Sequence, residues 1–173
     1  LSNENGDADV YFRESFDGRS SWSDGLRVND DPVSNGRMQD LVWGAFDSDG
    51  DLVATWRDRR NAADTGYAAS YEMYGATRLK NSQIFSSNFR ISGLSVPFDD
   101  VLLGNGNDFM STCLVNDTIS TVWGDTRDGK LNIWFQRMTM NGTMVSVQQI
   151  AQEDLPLIRV FQTGPNSLII EAN

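Results

Sequence analysis

Two stretches of the chain place an indole, a carboxylate and a guanidinium at the same short spacing: Trp56-Arg57-Asp58-Arg59-Arg60 and Trp123-Gly124-Asp125-Thr126-Arg127. Each follows an apolar run, Leu52-Val53-Ala54-Thr55 and Ile119-Ser120-Thr121-Val122, so each reads as a strand that ends in Trp-x-Asp-x-Arg. Carboxylate and guanidinium at adjoining strand ends suit two kinds of chemistry. A ring of Asp58, Arg60, Asp125 and Arg127 around a central pocket, with Trp56 and Trp123 nearby, would bind hydroxyl-rich or carboxylate ligands through bidentate arginine contacts. The same residues would equally serve as an Asp–Arg ion pair that holds each loop over its tryptophan. Recurrence favours the second role, because structural needs repeat and active sites usually do not.

The elements that carry these residues are short. Helical periodicity is missing along most of the chain, while brief alternating runs bounded by Gly, Asn and Asp recur at close intervals, which is an all-β pattern. The three segments Asp9-Val10-Tyr11-Phe12, Glu72-Met73-Tyr74-Gly75 and Asn132-Ile133-Trp134-Phe135 align, and together with the Trp-bearing pair they define a repeat of 60 to 67 residues. That period exceeds the usual 40 to 50 of propeller repeats, yet each unit holds about four strand candidates. The second unit is expected to run through residues 40–46, 52–56, 71–77 and 89–92, with a hairpin at Asp47-Ser48-Asp49-Gly50. The third is expected through 109–115, 118–123, 132–138 and 143–150, with a hairpin at Asn116-Asp117 and a type I′ turn at Asn141-Gly142.

Between the strand candidates 9–13 and 26–28 lies Ser15-Phe16-Asp17-Gly18-Arg19-Ser20-Ser21-Trp22. This octapeptide resembles the Asp-box (BNR repeat) hairpin of sialidase-like β-propellers in Ser15, Asp17, Gly18, a small hydroxyl and Trp22. It departs from that pattern in carrying Arg19 at the usual glycine position. In such a box the carboxylate accepts backbone N–H groups, glycine takes positive φ, and Trp22 is expected to cover the turn. The resemblance implies a fold: four-stranded antiparallel blades, about three of them in this chain, with blade parts near 1–35, 36–98 and 99–152. The tail 153–173 offers two further strands that would complete the blade begun at the N-terminus.

Three blades leave open edges, since propellers usually close with four to eight. A second copy of the chain, closing a six-bladed ring, or another fragment of a longer propeller would complete it. The start at Leu1, just past a Trp-x-Asp-x-Arg position, fits a cut within a loop. Residues 158–171 are also similar to the opening of the sorting domain of secreted proteins of gliding Bacteroidetes. With the acidic balance this implies a secreted or cell-surface bacterial protein.

Composition narrows the chemistry. Of 173 residues, 24 are Asp or Glu and 14 are Lys or Arg, and a net charge of −10 disfavours phosphate backbones and anionic membranes. No apolar run approaches the roughly 18 residues of a membrane span. Histidine is absent, which removes His-based general bases, Ser/Cys–His pairs and the commonest zinc ligand. The one cysteine, Cys113, lies in an apolar run and reads as a buried small hydrophobe. Asp47-Ser48-Asp49-Gly50-Asp51 resembles the start of a calcium loop, but Leu52 and Asp58 stand where glycine and glutamate should, so a hairpin is the better explanation and no metal or cofactor is expected. Asp99-Asp100 and residues 105–108 read as solvated loops.

Sialidases of the resembled superfamily carry an Arg-Ile-Pro segment; Arg90-Ile91-Ser92 is the nearest stretch here. Tyr71 and Glu72 are adjacent in a strand and so face opposite ways. The functional expectation is a recognition or structural module with carbohydrate as the favoured ligand class. The alternative is part of a sialidase-like glycoside hydrolase whose remaining catalytic residues lie on another chain.

Overall fold

The computed structural model describes residues 7–105, 108–145, 158–164 and 167–172. The chain is all-β, with antiparallel sheets built from β1 (Tyr11–Phe12), β2 (Leu26–Arg27), β3 (Gln39–Phe46), β4 (Leu52–Asp58), β5 (Glu72–Arg78), β6 (Phe89–Arg90), β7 (Met110–Val115), β8 (Thr118–Asp125), β9 (Asn132–Thr139), β10 (Ile158–Gly164) and β11 (Ser167–Ala172). One short helix, α1 (Asp100–Asn105), precedes β7. Among the described residues, no helix is long and apolar enough to cross a membrane. The strands sort into a two-stranded sheet β1-β2, a four-stranded sheet β3-β4-β5-β6, a three-stranded sheet β7-β8-β9, and a separate hairpin β10-β11.

The internal repeat is visible in the registers. Trp56 pairs with Tyr74 and Asp58 with Glu72, while Trp123 pairs with Trp134 and Asp125 with Asn132. The same frame extends to the first sheet, where Tyr11 pairs with Arg27 and Phe12 with Leu26, as Tyr74 pairs with Arg90 and Gly75 with Phe89. Side chains repeat with it. Arg27 bonds to Asp9 at 2.8 Å, as Arg90 does to Glu72 at 2.8 Å. Val10 N–H donates to Asn29 Oδ1 at 2.8 Å where Met73 N–H donates to Ser92 Oγ at 3.0 Å. The two-stranded first sheet is therefore the β5–β6 half of the second sheet, seen again.

These sheets stack. Val10, Val28, Ala54, Trp56, Tyr74 and Ala76 form one apolar cluster, between the first sheet and the second. A second cluster, with Val53, Met73, Ile119, Trp123 and Met138 at its heart, lies between the second sheet and the third. In both cases the Trp-bearing face looks back to the preceding sheet. Being covered on both sides, β4 and β5 are buried at every position. Strand β7 alternates buried and exposed instead, because among the described residues one face of the third sheet is packed and the other is not. A relay of hydroxyls crosses the stack: Thr55 Oγ1 lies 2.7 Å from Thr112 Oγ1, which lies 2.8 Å from Thr121 Oγ1.

Several expectations are corrected. Cys113 is exposed, not buried, because in β7 it falls on the unpacked face while Thr112 and Leu114 take the packed one. Asp99 and Asp100 open α1 and are not a loop: Asp99 Oδ1 accepts Leu102 N–H at 2.9 Å, and Leu102 is fully buried, so an N-cap before Val101-Leu102-Leu103 was the available signal. At Asn141-Gly142 only Gly142 has positive φ, and Gly142 N–H bonds to Thr139 O at 2.9 Å. That is a type I turn closed by a left-handed glycine, not type I′. Among the described residues, the tail hairpin forms a two-stranded sheet of its own. The fourth strand expected at 143–150 lies largely outside the described residues, although Met144 bridges to Met138.

The true type I′ loop is Asn116-Asp117, with φ of 49° and 57°. A left-handed non-glycine residue costs roughly 1–2 kcal/mol. Asp117→Gly is expected to gain about 1 kcal/mol, raising Tm by about 2–4 °C. A melting curve showing no increase would overturn this.

Candidate functional site

The two Trp-x-Asp-x-Arg stretches fold into one and the same clamp. In the second sheet, Trp56 Nε1–H donates to Asp58 Oδ2 at 2.7 Å, Arg60 N–H donates to Asp58 Oδ1 at 2.7 Å, and Arg60 Nη2 reaches Asp58 Oδ2 at 2.8 Å. The guanidinium of Arg60 then lies over Tyr74, 4.3 Å from the ring centroid. In the third sheet, Trp123 Nε1–H donates to Asp125 Oδ2 at 2.8 Å, and Arg127 N–H donates to Asp125 Oδ1 at 3.2 Å. Arg127 Nη2 reaches Asp125 Oδ2 at 2.5 Å, and its guanidinium covers Trp134 at 4.2 Å. Tyr74 and Trp134 occupy equivalent register positions, so the cation–π contact repeats along with the ion pair.

Asp58 and Asp125 are fully buried, and their carboxylate oxygens are occupied by the indole, the backbone and the arginine of their own clamp. Burial opposes the charge on Arg60, but the Asp58 carboxylate, helped by Asp30 and Asp31, more than restores it and holds the guanidinium charged. Arg60 also donates to Asp30 Oδ1 at 2.6 Å and to Asn88 Oδ1 at 2.7 Å, tying the first sheet's following loop to the second sheet. All six residues, Trp56, Asp58, Arg60, Trp123, Asp125 and Arg127, are thus brought together in two threes, not in one ring.

A second polar cluster escaped sequence reasoning. Arg57 donates to Asp40 through Nε at 2.6 Å and Nη2 at 2.7 Å, and Arg59 Nη1 stands 3.2 Å from the same carboxylate. Burial acts to raise the Asp40 pKa, but the bonds and charges of Arg57 and Arg59 outweigh it and the carboxyl sits below its ordinary value. Tyr67, Tyr71 and Phe98 surround Arg57 with rings at 5.1 to 5.5 Å. The signal was present, since Arg57 and Arg59 alternate with Asp58 and so project to the other face of β4.

At the Asp-box stretch, Asp17 Oδ1 accepts Ser21 N–H at 2.9 Å and Ser15 Oγ–H at 2.9 Å, and Asp17 Oδ2 accepts Ser21 Oγ–H at 2.7 Å. Gly18 and Arg19 take φ of 68° and 74°, so the turn uses two left-handed residues. Trp22 does not cover the turn: it is 54% exposed, and Phe16 is 87% exposed. The two rings line one shallow depression beside Asp17. Bonds from the Ser21 side chain and backbone, then from Ser15, lower the Asp17 pKa from 3.8 to about 2.

A folded pKa below the unfolded one means that the turn's contribution is present above pH 3.8 and is lost as pH falls through about 2. The Asp17 carboxyl carbon is expected to titrate with its midpoint near 2 by NMR. A midpoint at the ordinary carboxylate value would rule the bonded turn out in solution.

Asp47, Asp49 and Asp51 form a hairpin turn. Asp47 Oδ1 accepts the N–H groups of Asp49 and Asp51, at 3.0 and 2.9 Å, and Asp51 Oδ1 accepts Lys80 N–H at 2.8 Å. Carboxylate oxygens of Asp47, Asp51 and Asp117 come within 4.8 Å of one another across two neighbouring hairpins, while Asp49 stands outside that group. Comparison with protein-family models, with curated proteins and with solved structures finds no match for this chain.

Proposed function

We propose that the chain is a portion of a sialidase-like β-propeller that acts as an extracytoplasmic recognition or assembly module. The observation that carries this reading is the residue-for-residue equivalence of β1–β2 with β5–β6. A half-sheet that stacks on a full one and bears the same ion pair is a blade whose first two strands come from elsewhere, from a second copy or from another propeller fragment. The clamps support a scaffold role, because a carboxylate saturated by its own indole and arginine has little left for a ligand.

Carbohydrate is the proposed ligand class, supported by the exposed Phe16 and Trp22 rings beside the Asp17 turn. Sugar C–H faces stack on such rings. The hydrolase reading finds less support: the Tyr71 hydroxyl is buried, and burial followed by the Asp125 charge pushes its pKa upward, away from a nucleophile's needs.

The native mass of the purified protein tests the assembly. A particle heavier than the 19.3 kDa chain is expected, and a monomer at all attainable concentrations would sink the second-copy form. Quenching of Trp22 fluorescence by oligosaccharides, abolished in Trp22→Ala, tests the ligand. Release of a fluorogenic sialic acid by the assembled particle would instead favour the hydrolase.

A further inference from the structure

Among the described residues, nothing covers the outward face of the third sheet, which carries a cluster of large apolar side chains. Phe109, Val115, Ile133 and Phe135 are 53, 59, 61 and 52% exposed there, and Cys113 lies among them. In register, Val122 and Ile133 stand where the second sheet has Thr55 and Met73, which the third sheet buries to 0 and 2% exposure. One set of repeat positions is thus sealed in one sheet and open in the next.

We infer that the tail hairpin β10–β11 of the same chain seats on this open face, as the first two strands of a further sheet; the inference rests on the stacked-blade reading above. Its argument is continuity with the interface already formed. The β7–β8 hairpin lies on the second sheet through Thr112, which bonds to Thr55 and accepts Trp43 Nε1–H at 3.1 Å. β10–β11 is the next antiparallel strand pair in chain order, as β7–β8 is the one that follows the second sheet.

Residues 146–157 join the third sheet to the hairpin and reach at most roughly 40 Å when extended. Stacked sheets lie about 10 Å apart, so that length is enough to span the step between them. A two-stranded hairpin is marginal alone in water, and an apolar face of the third sheet offers the partner it needs.

Cys113 is the native reporter, and the test is its reaction with a thiol reagent in the intact folded chain at several protein concentrations. Reaction at least about tenfold slower than in Val160→Pro, which breaks the middle of β10, is expected, independent of concentration. Phe135→Glu, a change at an exposed position that leaves the sheet able to fold, is expected to release the thiol as well. Equal rates in the intact chain and in both variants overturn the inference. Protection that grows with protein concentration overturns it too, by assigning the face to a second copy. Native mass judges the propeller reading separately, so a fast Cys113 in an assembled particle removes the tail docking alone.

Discussion

Asp58→Ala is expected to cost about 3–5 kcal/mol of stability, because it strands a buried indole N–H and takes from the Arg60 guanidinium its buried carboxylate partner, leaving it the hydrogen bonds to Asp30 and Asn88. Asp125→Ala is expected to behave alike, since Trp123 and Arg127 depend on it in the same way. Chemical denaturation with tryptophan fluorescence gives both values. If either variant does not fold, Asp58→Asn keeps an acceptor for Trp56 Nε1 and removes only the charge, and a smaller loss of about 1–3 kcal/mol is expected. A pocket-lining role for Asp58 predicts the opposite pattern, with unchanged or increased stability and loss of binding. Unaltered midpoints in both alanine variants would therefore return these carboxylates to the ligand-binding reading.

Gly142→Ala is expected to cost about 2–4 kcal/mol, the sum of a left-handed backbone and a steric conflict. Gly142 has φ of 81°, and a Cβ built on it would stand 2.5 Å from Cβ and Cγ of Phe89. Phe89 belongs to β6, so this glycine seats the end of the third sheet's β9 turn against the outer strand of the second sheet. Combining Gly142→Ala with Phe89→Gly, which removes both carbons that the new Cβ would meet, separates the two parts. The double variant should recover the steric share, a coupling of about 1–2 kcal/mol, and leave the backbone share in place. Strict additivity would mean that the turn does not press on Phe89.

The clamps explain why a search for chemistry in the sequence led to structure. Trp56, Asp58 and Arg60 were legible as a group because strand alternation puts positions two apart on one face, and the same holds for Trp123, Asp125 and Arg127. Their chemistry was not legible, since it depends on Tyr74 and Trp134. Those rings arrive from the next strand and turn each arginine inward over an aromatic face.

The Asp17 turn was readable for a related reason. A short carboxylate, a glycine and small hydroxyls within seven residues can satisfy one another without help from the rest of the chain. What covers that turn was not readable. Trp22 stays exposed because, among the described residues, no neighbouring element covers it, a fact about where sheets end.

Helix α1 escaped because six residues give too little periodicity to register; the Asp99 cap was its only signature. Cys113 was misplaced because an apolar run in a strand does not say which of its two faces is packed. That choice belongs to the stack: β4 and β5 are covered on both sides, while β7 to β9 are covered on one.

From sequence alone, then, came the all-β class, the strand order, the repeat and the pairs that share a face, all of them consequences of two-residue alternation and local turn chemistry. The tertiary structure decided which face of each sheet is sealed, which arginine lies over which ring, and which apolar surface is left open. Those outcomes depend on contacts between residues some 60 positions apart, where neither propensity nor spacing carries information about distance in space.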